Sequence, residues 1–176
     1  MRTALVVIDV QPVWLEMAEF RTIDGDDLVE KCCALIERAR GEGVPVIYIE
    51  HTGEAVMPEG TPTEAIRTHR DLAPGPGDPV VFKSYQSAFV ETNLADVLSE
   101  REIGRTVICG LSTFGCVQAT VLFAKLLGYE TAVVADAVAG SNAEGFPARE
   151  RIPPLLGGWK ACGIEILGPQ VDPFAA

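Results

Sequence analysis

The stretch Thr106-Val107-Ile108-Cys109-Gly110-Leu111-Ser112-Thr113-Phe114-Gly115-Cys116-Val117 joins a short β-branched apolar run to a helix-like segment over residues 117–127, through a turn bounded by two glycines. A strand that passes through a tight turn into a helix is the repeating unit of an α/β protein. A thiol at the first turn of such a helix meets free backbone N–H groups and the positive end of the helix dipole, which favour a thiolate and can hold an oxyanion. Cys116 is therefore a candidate nucleophile. Position alone does not separate that role from a buried structural cysteine, because free Cys is among the most buried residue types.

Working outward, the same alternation repeats. Residues 4–9, Ala-Leu-Val-Val-Ile-Asp, form a continuous apolar run ending in a carboxylate, the pattern of a strand covered on both faces. Residues 24–40 have helical spacing, with Leu28, Cys32, Leu35, Ile36 and Ala39 on one stripe and Gly41 and Gly43 beyond it. Strands are expected at 44–50, 79–83, 106–109, 131–135 and 164–167, and further helices at 92–100 and 117–127. Residues 52–78 are polar and rich in Pro and Gly, too long for a plain connection and so a candidate for function. The expected fold is a single doubly wound α/β domain over residues 1–176, with a mostly parallel six-stranded sheet and helices on both faces.

Composition narrows the function classes. With 176 residues and 48% apolar content the chain can bury one good core. A net charge of -11, from 14 basic against 25 acidic residues, argues against nucleic acid or an anionic membrane as partner. No run reaches the roughly 20 apolar residues of a membrane span, and the N-terminus lacks the pattern of a signal peptide. Five cysteines without paired spacing, at 32, 33, 109, 116 and 162, are the usage of reduced thiols in a cytoplasm.

In a doubly wound sheet ligands bind beyond the carboxyl ends of the strands. Asp9 closes the first strand, Lys83 closes the third, and Cys116 follows the fourth. An acid, a base and a thiol at three such ends converge if those strands are neighbours.

The residues Val6-Val-Ile-Asp9-Val-Gln11, Val81-Phe-Lys83 with Ser87-Ala-Phe89 and Thr92, the turn at 110–117, Leu127-Gly-Tyr129, and Asp136-Ala137 resemble the isochorismatase-like cysteine hydrolases, a superfamily that includes nicotinamidase and N-carbamoylsarcosine amidase. The segment 62–78, with His69-Arg-Asp-Leu-Ala-Pro74 and Gly77-Asp78, looks like the same members. The resemblance spans roughly residues 3–140 with the motifs in order. It implies that Cys116 is the nucleophile, Asp9 the base that takes its proton and later the acid, and Lys83 the cation that stabilises the thiolate. It further implies a cis bond at Leu111-Ser112, an oxyanion hole from the N–H groups of Ser112 and Cys116, and a thioester route to cleavage of a small amide, urea or carbamoyl compound. The other branch of the family cleaves a vinyl ether and commonly lacks the cysteine; a non-catalytic binding protein on the same fold is the third possibility. Members often form homodimers or homotetramers.

Gln11, Trp14, Tyr85, Phe89 and Phe114 lie close in sequence to the three catalytic positions and are candidate substrate-binding residues. Nicotinamidases add an Asp-x-His pair and a further His that bind a metal. Here the corresponding residues read Tyr48-Ile-Glu50-His51, so no metal or other cofactor is expected, and His51 is assigned a hydrogen bond near the mouth of the site. Arg67 or Arg70 would have to reach in if the substrate were anionic. Adjacent Pro153 and Pro154 predict that the last helix is broken or begins late, near Pro154.

Overall fold

The computed structural model describes residues 1–17, 22, 24–143 and 145–175. β1 (Arg2–Ile8) is buried without interruption from Ala4 to Ile8. Its side chains alternate between two cores, Leu5 and Val7 on one face and Ala4, Val6 and Ile8 on the other. A strand buried on both faces has to sit in the middle of a covered sheet, and it does.

The sheet order is β3-β2-β1-β4-β5-β6, with β2 (Val46–His51), β3 (Val80–Lys83), β4 (Ile103–Leu111), β5 (Glu130–Ala139) and β6 (Glu165–Leu167). Every pairing is parallel. One face is covered by α1 (Pro12–Leu15) and α2 (Gly25–Gly41), whose Leu15, Leu28, Cys32 and Ile36 join the core of Leu5 and Val7. The other is covered by α3 (Leu94–Glu100), α4 (Gln118–Leu126) and α5 (Ala148–Ala161), which contribute Leu98, Val121, Leu156 and Trp159. The chain winds from β1 outward through β2 to β3, then returns to place β4 on the opposite flank of β1. The β1/β4 boundary is thus the point where loops diverge and a crevice opens.

At that boundary the backbones nearly touch. Gly110 has φ +116, and a Cβ added there would lie 2.1 Å from the Ile8 carbonyl oxygen. Gly110→Ala should therefore lower stability by about 3 kcal/mol or more, read as a shifted midpoint in urea unfolding.

Several elements are longer than the sequence pattern alone implied. β4 begins at Ile103 and β5 continues to Ala139, past Asp136, with a register irregularity between Ile108 and Gly110. The last helix corrects the expectation outright, since α5 starts at Ala148 and runs through Pro153 and Pro154 without a break. The prolines remove hydrogen bonds to the carbonyls of Arg149 and Glu150, both exposed to water, while Ala148, Leu156 and Trp159 anchor the buried side. Asn142 Oδ1 accepts from the Ala148 N–H at 2.8 Å and so opens the helix.

Residues 52–79 contain three 3₁₀ turns and no α-helix, yet they are tied down. The His69 N–H donates to the Val10 carbonyl at 2.7 Å, and buried Glu50 accepts from the Thr68 N–H, the Thr68 hydroxyl and Arg67 Nη1 at 2.8, 2.9 and 3.1 Å. Among the described residues, no helix is long and apolar enough to cross a membrane.

Candidate active site

Asp9 is the first residue beyond β1 and takes a left-handed backbone, φ 51, which aspartate tolerates better than most residues. Lys83 is the last residue of β3, and Cys116 lies in a single wide π-type turn, Thr113–Val117, that feeds α4. The Leu111-Ser112 peptide bond is cis. The turn differs from the α-helical first turn expected of the sequence, and it places Ser112 and Cys116 on the same cavity.

The three side chains meet at the Lys83 ammonium, whose side chain is fully buried. Its Nζ lies 2.8 Å from Asp9 Oδ2 and donates to Cys116 Sγ at 3.1 Å and to the Tyr85 carbonyl at 3.2 Å. Its fourth neighbour is His51 Nδ1, at 2.8 Å. Because a lysine ammonium has no lone pair, Nδ1 must accept, and the imidazole proton then resides on Nε2. Asp9, His51 and Cys116 each present an atom within 4.8 Å of the others, a grouping of metal-ligand types. Here the ammonium touches all three and supplies the positive charge.

The crevice above is a cavity of about 260 Å³ walled by Trp14, Thr22, Val56, Gln86, Leu111 and Ser141, with Asp9, His51 and Cys116 at its base. Asp9 Oδ1 and His51 Nε2 are buried without a hydrogen-bond partner among the described residues. Such atoms are costly to leave unpaired, and in a cavity wall they are natural contacts for a bound molecule.

Burial dominates the electrostatics. It pushes the Cys116 thiol up to about 12, with the Asp9 carboxylate adding to the rise and Lys83 opposing it. It also holds the Asp9 carboxyl above its usual range against the pull of Lys83. His51 is lowered to about 4, by burial first and by the Lys83 charge second. The position at the head of a helix predicts an easily ionised cysteine; burial acts in the opposite direction and favours the protonated thiol beside the Asp9 carboxyl.

These shifts fix a pH dependence. Unfolded His51 titrates near 6.5, so on descending from there toward pH 4 the unfolded chain takes up a proton that the folded chain refuses. Wild type should therefore lose stability relative to His51→Asn over that window. Above pH 9 the unfolded chain loses the Cys116 proton that the folded chain keeps, so wild type should lose stability relative to Cys116→Ala. Denaturant titrations of the three proteins at pH 4.5, 7 and 10 provide the check.

The expected substrate residues separate. Trp14 lines the cavity, with its Nε1–H donating to Gln11 Oε1 at 3.0 Å and its ring set edge-on to His51. Gln11 is fully buried as a bracket: it donates to the His51 and Ile66 carbonyls and accepts from the His51 N–H. Tyr85 is half exposed and offers its carbonyl to Lys83. Phe89 stacks on Tyr129 against the second core, and Phe114 lies under the Arg151 guanidinium. None of these last four lines the cavity. The two arginines considered for an anionic substrate are engaged elsewhere: Arg67 with Glu50 and over the Phe82 ring, Arg70 beside Asp71. Glu50 and His69 lie outside the grouping of Asp9, His51 and Cys116: Glu50 holds Thr68 and Arg67, and His69 Nδ1 accepts from the Asp71 N–H.

The Isochorismatase domain model matches residues 3–148, more than three quarters of the chain. The chain belongs to the isochorismatase family. Among relatives of this isochorismatase-family chain, the streptothricin hydrolase of Streptomyces noursei is 30% identical over 135 residues, covering 76% of this chain and 53% of its own. The ureidoacrylate amidohydrolase RutB of Pseudomonas syringae is 29% identical, over 77% of this chain and 69% of its own. The crystal structure of N-carbamoylsarcosine amidase from Thermoplasma acidophilum superposes with a TM-score of 0.83 at 25% identity, covering 98% of the isochorismatase-family chain and 99% of that structure.

Proposed function

We propose that this protein is a cysteine hydrolase that cleaves a non-peptide C–N bond of a small amide, urea or carbamoyl compound. The observation that carries the reading is the contact of one buried ammonium with both a carboxylate and a thiol at the base of a cavity. The relatives named as amidohydrolase and amidase point to the same class.

Asp9 takes the Cys116 proton as the sulfur attacks the carbonyl carbon, so the thiolate exists only alongside a bound electrophile, with Lys83 balancing its charge. The N–H groups of Ser112 and Cys116 hold the oxyanion. Collapse breaks the C–N bond, and the leaving amine takes the proton from Asp9. Water then gives a proton to Asp9 as it attacks the thioester, and cleavage of the C–S bond regenerates the thiol and releases the acid. On this reading the chain works in the cytoplasm on a small molecule, as a homodimer or homotetramer, without nucleic acid or membrane.

The test is ammonia release from a panel of small amides, ureas and carbamoyl compounds, with intact mass to catch an acyl adduct on Cys116. Release with an adduct supports the reading. No release from any member, or release that survives in Cys116→Ala, overturns it in favour of vinyl ether hydrolysis or a binding role.

A further inference from the structure

We infer that His51 is a positioning residue, whose Nδ1 is the fixed acceptor that holds the Lys83 ammonium between Asp9 and Cys116. The inference deepens the cysteine-hydrolase reading above and rests on it for the meaning of the site.

An ammonium has three protons, and Lys83 Nζ has four acceptors in reach. Asp9 Oδ2 and His51 Nδ1 are the two nearest, each at 2.8 Å, whereas Cys116 Sγ and the Tyr85 carbonyl lie at 3.1 and 3.2 Å. Two protons are therefore committed to Asp9 and His51, and the third is shared between the sulfur and the Tyr85 carbonyl. When the thiol ionises, that third proton turns fully to the sulfur without the lysine having to move. Without His51, the three protons would fall to Asp9, the sulfur and the Tyr85 carbonyl, and Nζ, having lost one of its two short contacts, would be drawn toward Asp9 and away from the sulfur.

The imidazole is itself held firmly. Gln11 fixes the His51 main chain, accepting from its backbone N–H and donating to its backbone carbonyl, while the Trp14 ring packs edge-on against the imidazole and Gly53 makes room at Nε2, where an added Cβ would come within 3.1 Å. A lysine acceptor needs a neutral ring, and burial keeps it neutral well into acid. The same tautomer leaves Nε2–H as a donor in the cavity wall, with unpartnered Asp9 Oδ1 as an acceptor.

Two substitutions separate the ring nitrogens, because Asn Oδ1 falls where His Nδ1 lies and the Gln amide falls where Nε2 lies. The rate of Cys116 alkylation by iodoacetamide at pH 8, read by peptide mass spectrometry, needs no turnover and so stands apart from the question of substrate. His51→Asn should stay within about threefold of wild type, and His51→Gln should fall about tenfold, toward the rate of Lys83→Met. Exposed Cys162 should react alike in all of them, and buried Cys32 and Cys109 should stay silent, which reports intact folding. A His51→Asn rate as low as that of His51→Gln, or a His51→Gln rate equal to wild type, overturns the inference. Wild type supplies a measurement independent of variants, because the chain has only two histidines. Imidazole ¹⁵N spectra should show His51 as the Nε2–H tautomer from pH 5 to 9, and an Nδ1–H tautomer would equally overturn the inference.

Discussion

Lys83→Met is expected to abolish turnover and to take about 3–5 kcal/mol from stability at neutral pH. Methionine keeps the length and packing of the stem while removing the charge. What remains is Asp9, also buried, with no cation beside it. Its carboxyl, already raised by burial, would rise further and take up a proton in the folded state. The folded chain then binds a proton more readily than the unfolded one, so the deficit should be largest at high pH and shrink as pH falls. Adding Asp9→Asn to Lys83→Met should restore most of the lost stability and none of the activity. Urea titrations at pH 5 and 8, beside ammonia release, check both parts; a single variant as stable as wild type at pH 8 would mean that the pair is not the buried charge pair described here.

Cys116→Ala is expected to lower ammonia release by about 10⁴-fold or more, because the covalent route has no substitute when the nucleophile is gone. Cys116→Ser should be nearly as inert. A hydroxyl is a far weaker acid than a thiol, and Asp9, which must already draw a proton from a thiol raised to about 12, cannot draw one from serine at useful cost. Neither variant should lose more than about 1 kcal/mol of stability near neutrality, since the sulfur sits at a cavity edge and its removal leaves little closed void. Both positions are thus expected to lose activity, but only Lys83→Met is expected to lose stability with it. The contrast separates the atom that reacts from the charge that organises the site.

The strands and the three site residues were legible because each residue closes, or follows directly after, an apolar run whose burial leaves little choice of structure. Asp9 after Ala4-Leu-Val-Val-Ile8 and Lys83 after Val80-Val-Phe82 are placed by the sheet itself. The contact of His51 with Lys83 is not legible, because it depends on β2 and β3 lying in register, His51 opposite Lys83, which no local pattern encodes. Gln11 looked like a pocket residue since it follows Asp9 by two; its side chain instead turns to bracket β2 and the long crossover. Pro153 and Pro154 misled for a different reason. A rule about lost hydrogen bonds presumes that the freed carbonyls are buried, and in α5 they face water.

The strand order also bears on how the chain comes into being at the ribosome. β1 is made first, yet its partner on one flank, β4, is separated from it by about a hundred residues, and all that time the edge from Arg2 to Ile8 has nothing to pair with on that side. The nascent chain therefore carries a sticky, apolar ribbon until Ile103–Leu111 leaves the exit tunnel and slots in beside it. The same insertion brings the turn with Cys116 toward Asp9 and Lys83, so the thiol meets the carboxylate only once the open flank of β1 is covered.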